Sequence, residues 1–222
     1  MPDATPTIRE LAAWPAAETY KADARSTVWR VERGRQAFVL KRYEYFSLRQ
    51  RLGRWLGLHP GQREDRGIDR LERAGLPVVA VESQGLVDGR FVQATRWQGE
   101  SLQSWLGRVD GGDAAPRRLV LDRVAEVAAR LLAAGLVHRD FKASNVLVRD
   151  DRTVALIDVG AVRPSRSRRR QRATLFMLCL TLRKAGASVA EVEAVGAALR
   201  SQGVSAGLVP DASGLGVDSD DE

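Results

Sequence analysis

The sequence predicts an α+β chain, with strands gathered in its first half and helices in its second. Short runs rich in Val, Phe and Thr, separated by Gly-bearing turns, recur between Val28 and Thr95. From Arg117 onward apolar residues fall mainly at helical spacing. One tight strand–turn–strand stretch, Val146–Asp158, stands apart from that spacing. At 222 residues the chain can form one two-part unit with a real core.

In order, residues 1–19 read as a polar N-terminal extension with a short amphipathic segment around Leu11–Trp14. Val28–Glu32 and Ala37–Tyr43 read as strands, with Arg33-Gly34-Arg35 turning between them. Tyr45–Leu58 sets Phe46, Leu48, Leu52, Trp55 and Leu56 at helical spacing, with Arg49, Arg51 and Arg54 opposite. The plain reading is a helix packing on its own domain, and the sharper one is contact with an anionic membrane face. Gln62–Ala74 is a helix closed by Gly75 and Pro77. Val78–Glu82 and Arg90–Thr95 are strands around Asp88-Gly89. Glu100-Ser101 opens a short helix through Leu106, and Asp110–Pro116 is a loop. Arg117–Ala134 is a long helix with Leu119, Leu121, Val124, Val127, Ala128 and Leu131 toward the core, ended by Gly135. Thr174–Lys184 and Val189–Arg200 are the last helices, and residues 206–222 read as a disordered acidic tail.

The chemistry concentrates in Val137–Gly160, V-H-R-D-F-K-A-S-N-V-L-V-R-D-D-R-T-V-A-L-I-D-V-G. Phosphoryl transfer from ATP needs a carboxylate to accept the proton of the attacking hydroxyl. It also needs an amide oxygen and a second carboxylate to hold Mg²⁺ on the phosphates. Asp140 suits the first role, and Asn145 and Asp158 suit the metal. Lys142 places a positive charge beside the transferred group. Val146–Val148 and Val154–Ile157, turned by Asp150-Asp151-Arg152, form a hairpin that returns Asp158 beside Asn145. Hard oxygen donors of this kind are what Mg²⁺ prefers. The bland alternative is a hairpin preceded by a charged loop. The fixed identities of H-R-D-x-K-x-x-N followed by I-D-V-G weigh against it.

His138–Asn145 resembles the catalytic loop of the protein-kinase-like superfamily. Ile157–Gly160 is similar to its D-F-G metal motif, with Val159 in place of Phe. Within the superfamily the chain looks most like the bacterial lipopolysaccharide kinases that phosphorylate Kdo or heptose. The resemblance implies a two-lobed protein-kinase-like fold. A small β-rich N-lobe spans residues 20–97 and a reduced helical C-lobe spans 98–205. It implies that Lys41 binds the α- and β-phosphates of ATP, oriented by Glu64, with Glu72 as the competing partner. Lys21–Thr27 takes the place of the Gly-rich loop without any glycine, so Arg25, Ser26 and Thr27 would supply side-chain donors. Backbone groups near Ala94–Trp97 would meet the adenine edge. The basic run after Gly160 reads first as a solvated face. Its position beside the family's acceptor site makes Arg168, Arg169 and Arg170 candidates for holding a phosphorylated sugar or glycolipid acceptor.

Net charge is +7 and the isoelectric point about 10.3, which suits phosphates, nucleic acid or an anionic membrane without choosing among them. The basic residues lack the interleaved aromatics of single-strand binders, so no nucleic acid is expected. The single cysteine, Cys179, excludes a disulfide framework and reads as a core thiol. The polar start and the absence of a long apolar run give a cytoplasmic expectation, with peripheral contact at the inner face of the cytoplasmic membrane. The expected function is ATP-dependent, Mg²⁺-requiring transfer to a hydroxyl, on a sugar of lipopolysaccharide core or another envelope glycolipid. A small atypical protein kinase, an aminoglycoside-type phosphotransferase and a pseudokinase binding module are the alternatives. The glycine-free Lys21–Thr27 supports the last of these, and the intact set Lys41, Asp140, Asn145 and Asp158 opposes it.

Overall fold

The computed structural model describes residues 6–24, 26–44, 59–109 and 114–215. Arg25, the expected helix Tyr45–Leu58, residues 110–113 of the expected loop and residues 216–222 of the expected tail lie outside the described residues. The chain divides into two compact units, Met1–Ile68 with Val79–Trp97, and Asp69–Val78 with Gln98–Glu222.

The first unit is built on one antiparallel sheet in the order β1-β2-β3-β5-β4. Its strands are β1 (Ala16–Ala22), β2 (Ser26–Arg33), β3 (Gln36–Tyr43), β4 (Val81–Val87) and β5 (Arg90–Arg96). Strand alternation and register sort its side chains onto two faces. One carries Trp29, Val31, Phe38, Leu40, Val92 and Ala94, and on it packs helix α1 (Ile8–Ala12) through Ile8 and Leu11. So short a helix is marginal alone. A capping box between Thr7 and Glu10 satisfies its first amides, and burial of Ile8 and Leu11 holds it. The expected N-terminal extension is therefore partly core. The opposite face carries Val28, Arg30, Val39, Lys41, Gln93 and Thr95.

Strand β1 lay hidden from the sequence reading because all seven of its residues are exposed and carry no apolar alternation. Backbone pairing to β2 defines it, with bulges at Ala16/Glu18 and Thr19/Lys21. The strand expected at Val78–Glu82 instead begins at Val81. Asp88 (φ 49°) and Gly89 (φ 74°) make the turn into β5, as Asp-Gly pairs do in tight hairpins. Helix α2 (Pro60–Arg73) contributes Pro60–Ile68 to this unit and its last turn to the second.

The second unit packs α3 (Leu102–Arg108), α4 (Ala114–Ala133), α5 (Arg168–Lys184) and α6 (Val189–Ser201) around two small sheets. One pairs β6 (Glu100–Ser101), β8 (Val146–Val148) and β9 (Val154–Leu156), and the other pairs β7 (Leu136–His138) with β10 (Val162–Pro164). Gly99 leads into β6 at φ 140°, where a Cβ would stand 2.1 Å from the Val148 carbonyl oxygen, so only glycine fits. Cys179 is buried as expected, and burial pushes its thiol pKa up to about 12.

Three expectations need correction here. Leu119 is 40 % exposed, and α4 turns Val120, Leu121, Val124, Ala128 and Leu131 inward with Arg117. Helix α5 begins at Arg168 rather than Thr174, since arginine is a good helix former and the run continues the helical pattern N-terminally. The tail from residue 206 opens with a 3-10 turn, Ala206–Leu208, and buries Leu208, Ala212 and Leu215. These apolar residues give it something to pack.

Arg117 is the buried exception on α4, at 4 % exposure. Its guanidinium donates to Glu191 on α6 at 2.7 and 3.1 Å. It also donates to the carbonyls of Leu106 (3.0 Å), Val109 (3.0 Å) and Gly186 (3.2 Å). One side chain thus ties α3, α4 and α6 together. Arg117→Met leaves Glu191 and three carbonyls without that donor, and is expected to cost about 3–5 kcal/mol in urea unfolding. The Arg117 hydrogen bond lowers the Glu191 pKa. The pair therefore stabilises fully above the ordinary glutamate pKa and is lost as pH falls through the lower folded value. Glu191→Gln should flatten that acid limb in a pH series of urea midpoints. An unchanged limb would contradict the pairing.

Candidate functional site

The polar residues of Val137–Gly160 gather within the second unit. Strand β7 ends at His138 and pairs with β10 through Val162↔His138. The segment entering the loop and the segment leaving Gly160 are therefore held together. Between them the loop closes on itself. Lys142 N–H donates to the Asp140 carbonyl at 3.0 Å, and Asn145 N–H to the Lys142 carbonyl at 2.9 Å. The Asn145 side-chain amide donates to the Asp140 carbonyl at 2.9 Å. That bond turns the amide nitrogen inward and leaves Oδ1 as the group available to a cation.

The expected hairpin is present, with β8 and β9 pairing Val146↔Leu156, Leu147↔Ala155 and Val148↔Val154. Arg152, in αL at φ 62°, helps turn it. The ladder continues one step beyond the strands, where Ile157 N–H donates to the Asn145 carbonyl at 3.0 Å. Asp158 follows at once, in the left-handed region (φ 53°, ψ 45°), and the chain enters a 3-10 turn, Val159–Ala161. Aspartate is among the few side chains that tolerate this conformation. Asp158 is exposed, whereas Val159 is buried at 1 %, so the turn sends the carboxylate outward and the apolar neighbour inward.

Asp140 and Lys142 form an ion pair, Oδ1 to Nζ, at 2.7 Å, with each side chain 40 % exposed. Phe141 between them is fully buried and stacks on His138 with centroids 5.8 Å apart. His138 is itself fully buried. Its Nδ1 accepts the Asp140 N–H at 3.2 Å, and its Nε2 has no hydrogen-bond partner among the described residues. Burial holds its pKa at about 4, against the raising effect of the Asp158 and Asp140 charges.

An amide oxygen and a carboxylate are hard donors that fit Mg²⁺, which takes few protein ligands and completes its shell with phosphate and water. Among the described residues no cluster of three or more His, Cys, Asp or Glu could hold a metal by itself. Asn145 and Asp158 are the residues that would share such an ion.

Lys41, Ser26, Thr27 and Glu64 lie in the first unit. Lys41 sits on β3 opposite Val28 on β2 and Gln93 on β5, with Nζ 5.2 Å from the Tyr43 ring centroid. A relay crosses the same face. Tyr43 Oη donates to Gln93 at 2.8 Å, Gln93 to Gln84 at 3.0 Å, and Gln84 to Asp65 on α2 at 3.2 Å. It ties α2 to the sheet that bears Lys41. Glu64, beside Asp65, is half-buried, whereas Glu72 is exposed. Sequence reasoning missed this relay, because glutamines on strands carry no motif.

The turn between β1 and β2 is organised by Asp23, not by glycine. Asp23 Oδ1 accepts the Ser26 N–H at 2.9 Å, Asp23 N–H donates to the Ser26 carbonyl at 3.1 Å, and Lys21 pairs with Asp23 at 2.9 Å. Ser26 is buried at 5 %, and Thr27 Oγ1 accepts from Arg42 at 3.5 Å.

Arg168, Arg169 and Arg170 form the first turn of α5 and are exposed, as are Arg163, Arg166 and Arg172. Arg168 donates to Ser205 at 3.2 Å. Among the described residues Arg163, Arg166, Arg169, Arg170 and Arg172 have no carboxylate partner. No helix among the described residues is long and apolar enough to cross a membrane.

A strand-rich unit, a helical unit and an H-R-D-F-K-A-S-N loop closed by I-D-V-G define a kinase-like protein. The chain belongs to the lipopolysaccharide kinase (Kdo/WaaP) family, whose model matches residues 18–198. It is also similar to the serine/threonine-protein kinase PknL of Mycobacterium tuberculosis and of Mycobacterium bovis, 39% identical over 104 residues in each case. That match covers 45% of this chain and 25% of the relatives, so the chain spans about a quarter of their length.

The depressed His138 pKa yields a pH prediction. The unfolded imidazole takes a proton near the ordinary histidine value of 6.5, whereas the folded one resists until about 4. Stability should therefore fall as pH drops from about 6.5 to 4. His138→Phe should weaken that dependence in urea midpoints taken across the range. An identical pH dependence in the variant would place its origin elsewhere.

Proposed function

We propose that the protein is an ATP-dependent kinase that transfers the γ-phosphate to a hydroxyl on a sugar of lipopolysaccharide core or another envelope glycolipid. The observation that supports this reading is the Asn145–Ile157 ladder bond, which pairs the backbone of Asn145 with the residue just before Asp158, on the loop that also bears the Asp140–Lys142 ion pair. Membership in the lipopolysaccharide kinase family supports the acceptor class.

In this reading Asp140 takes the proton of the acceptor hydroxyl through Oδ2, while Lys142 holds Oδ1 and sets its charge beside the γ-phosphoryl group. Asn145 and Asp158 hold Mg²⁺, which when bound neutralises charge on the phosphates. Lys41 binds the α- and β-phosphates, and Glu64, on the helix tied down by the glutamine relay, orients it. Because Asp23 occupies the Ser26 amide and Ser26 is buried, phosphate contact near this turn falls chiefly to the side chains of Thr27 and Arg25. Arg169 and Arg170 grip the acceptor's own phosphate through bidentate hydrogen bonds, with Arg168 anchoring the turn to Ser205. The work is done at the cytoplasmic side, with peripheral contact at the inner membrane surface where such glycolipids reside.

A second reading, a protein hydroxyl as acceptor, draws on the likeness to the serine/threonine-protein kinase PknL. Radiolabelled phosphate transfer from ATP to a Kdo–lipid A glycolipid, run beside casein, separates the two. Labelled glycolipid with unlabelled casein is expected. The reverse pattern would install the protein-kinase reading, and no labelling with either would defeat the glycolipid proposal.

Asp140→Asn should lower transfer by roughly 10²–10⁴-fold, the usual worth of a positioned base, while calorimetry shows nucleotide affinity retained. Undiminished turnover would remove Asp140 from the chemistry. The double change Arg169→Gln, Arg170→Gln should raise KM for the acceptor and leave KM for ATP unaltered. The acceptor effect should shrink at high salt, where the screening length drops toward about 3 Å. A rise in KM for ATP alone would reassign these arginines to the nucleotide.

A further inference from the structure

The loop that carries Asp140, Lys142 and Asn145 contains a 3-10 turn, Ala143–Asn145. The first amides of such a turn have no partner within it. Lys142, at the position before the turn, makes no side-chain cap. Ala143 is fully buried, so its N–H cannot turn to water. An unpaired amide there would carry the desolvation cost of a buried donor. The partner comes from another element, as the Ala143 N–H donates to Oγ1 of Thr181 on α5 at 2.9 Å. The Thr181 hydroxyl in turn donates within its own helix, toward the carbonyls of Met177 (2.9 Å) and Leu178 (3.0 Å). That donation fixes the hydroxyl proton on the helix side and leaves an oxygen lone pair aimed at Ala143.

From this geometry we infer that Thr181 is a positioning residue for phosphoryl transfer. It caps the turn from outside and thereby sets the Asp140–Asn145 loop. The inference rests on the reading of that loop as the transfer site. Displacement at Ala143 cannot stay local. Lys142 N–H and the Asn145 amide both end on the Asp140 carbonyl, so a shift of the turn moves the base and the metal-side amide together. Thr181 is half-buried and lies well clear of every motif in the sequence. The same helix that presents Arg169 and Arg170 at its start therefore supports the reacting loop near its end.

Thr181→Val keeps the shape and removes the hydroxyl, and Thr181→Ser keeps the hydroxyl. Amide hydrogen exchange at Ala143 by NMR and steady-state ATP turnover with the Kdo–lipid A glycolipid as acceptor are measured on the same preparations. In Thr181→Val, Ala143 should exchange about tenfold faster and kcat should fall by about tenfold, the worth of one lost hydrogen bond. KM for ATP should stay unchanged, and Thr181→Ser should restore both exchange and kcat. If Thr181→Val does not fold, Thr181→Ala makes the same comparison. Unchanged kcat in Thr181→Val, or a Thr181→Ser variant as slow as Thr181→Val, would overturn the assignment. Wild-type protein that turns over no ATP would instead sink the kinase reading itself, and the positioning role with it.

Discussion

The register of the β8–β9 hairpin is the constraint on which the candidate site depends. A slip of one residue would change the partner of every side chain along the stretch. Three buried pairs hold that register, Val146↔Leu156, Leu147↔Ala155 and Val148↔Val154. All six side chains are apolar and buried, so a slip would draw the flanking Arg149 or Thr153 into a buried position. The bond from Ile157 to Asn145 then carries the register one step past the strands, into the polar residues. The apolar core thus positions groups it never touches.

The loop before the hairpin is held differently. Its backbone groups find partners in three places: within the loop, at His138 and at Thr181. A neutral, buried His138 suits this arrangement, since its Nδ1 must accept from Asp140 and a proton there would remove the acceptor. Pairing of β7 with β10 closes the frame from outside. The result is a short segment in which the Asp140 and Lys142 side chains reach the surface while Phe141, Ala143 and Asn145 are buried.

In the first unit, the sheet separates two tasks by face. The apolar face is spent on α1 and forms the core. The other face can therefore carry Lys41, Arg30 and the Tyr43–Gln93–Gln84–Asp65 relay without loss of packing. Arg30 lies 4.6 Å from the Trp97 ring centroid, which Tyr20 stacks on at 6.1 Å, so the polar face is ordered by its aromatic residues as well. The turn at Asp23 shows how a hairpin can dispense with glycine: a carboxylate takes the amide that a bare backbone would leave open.

The sequence by itself determined the family and the local layout of the candidate site. H-R-D-F-K-A-S-N and I-D-V-G are local, so their spacing alone places Asp140, Lys142, Asn145 and Asp158 on one loop and one hairpin. Hairpins with Gly-bearing turns and helices with apolar stripes were legible for the same reason, because short-range periodicity and turn residues encode them. Tertiary structure decided what depends on distant partners. Strand β1 has no apolar alternation and exists through its pairing with β2. Arg117 looks like a surface residue until α3 and α6 supply its acceptors. The burial of Leu208, Ala212 and Leu215 and the support of Ala143 by Thr181 have the same origin. Each is a contact between residues far apart in the chain, and a contact of that kind has no period and no motif for a sequence to display.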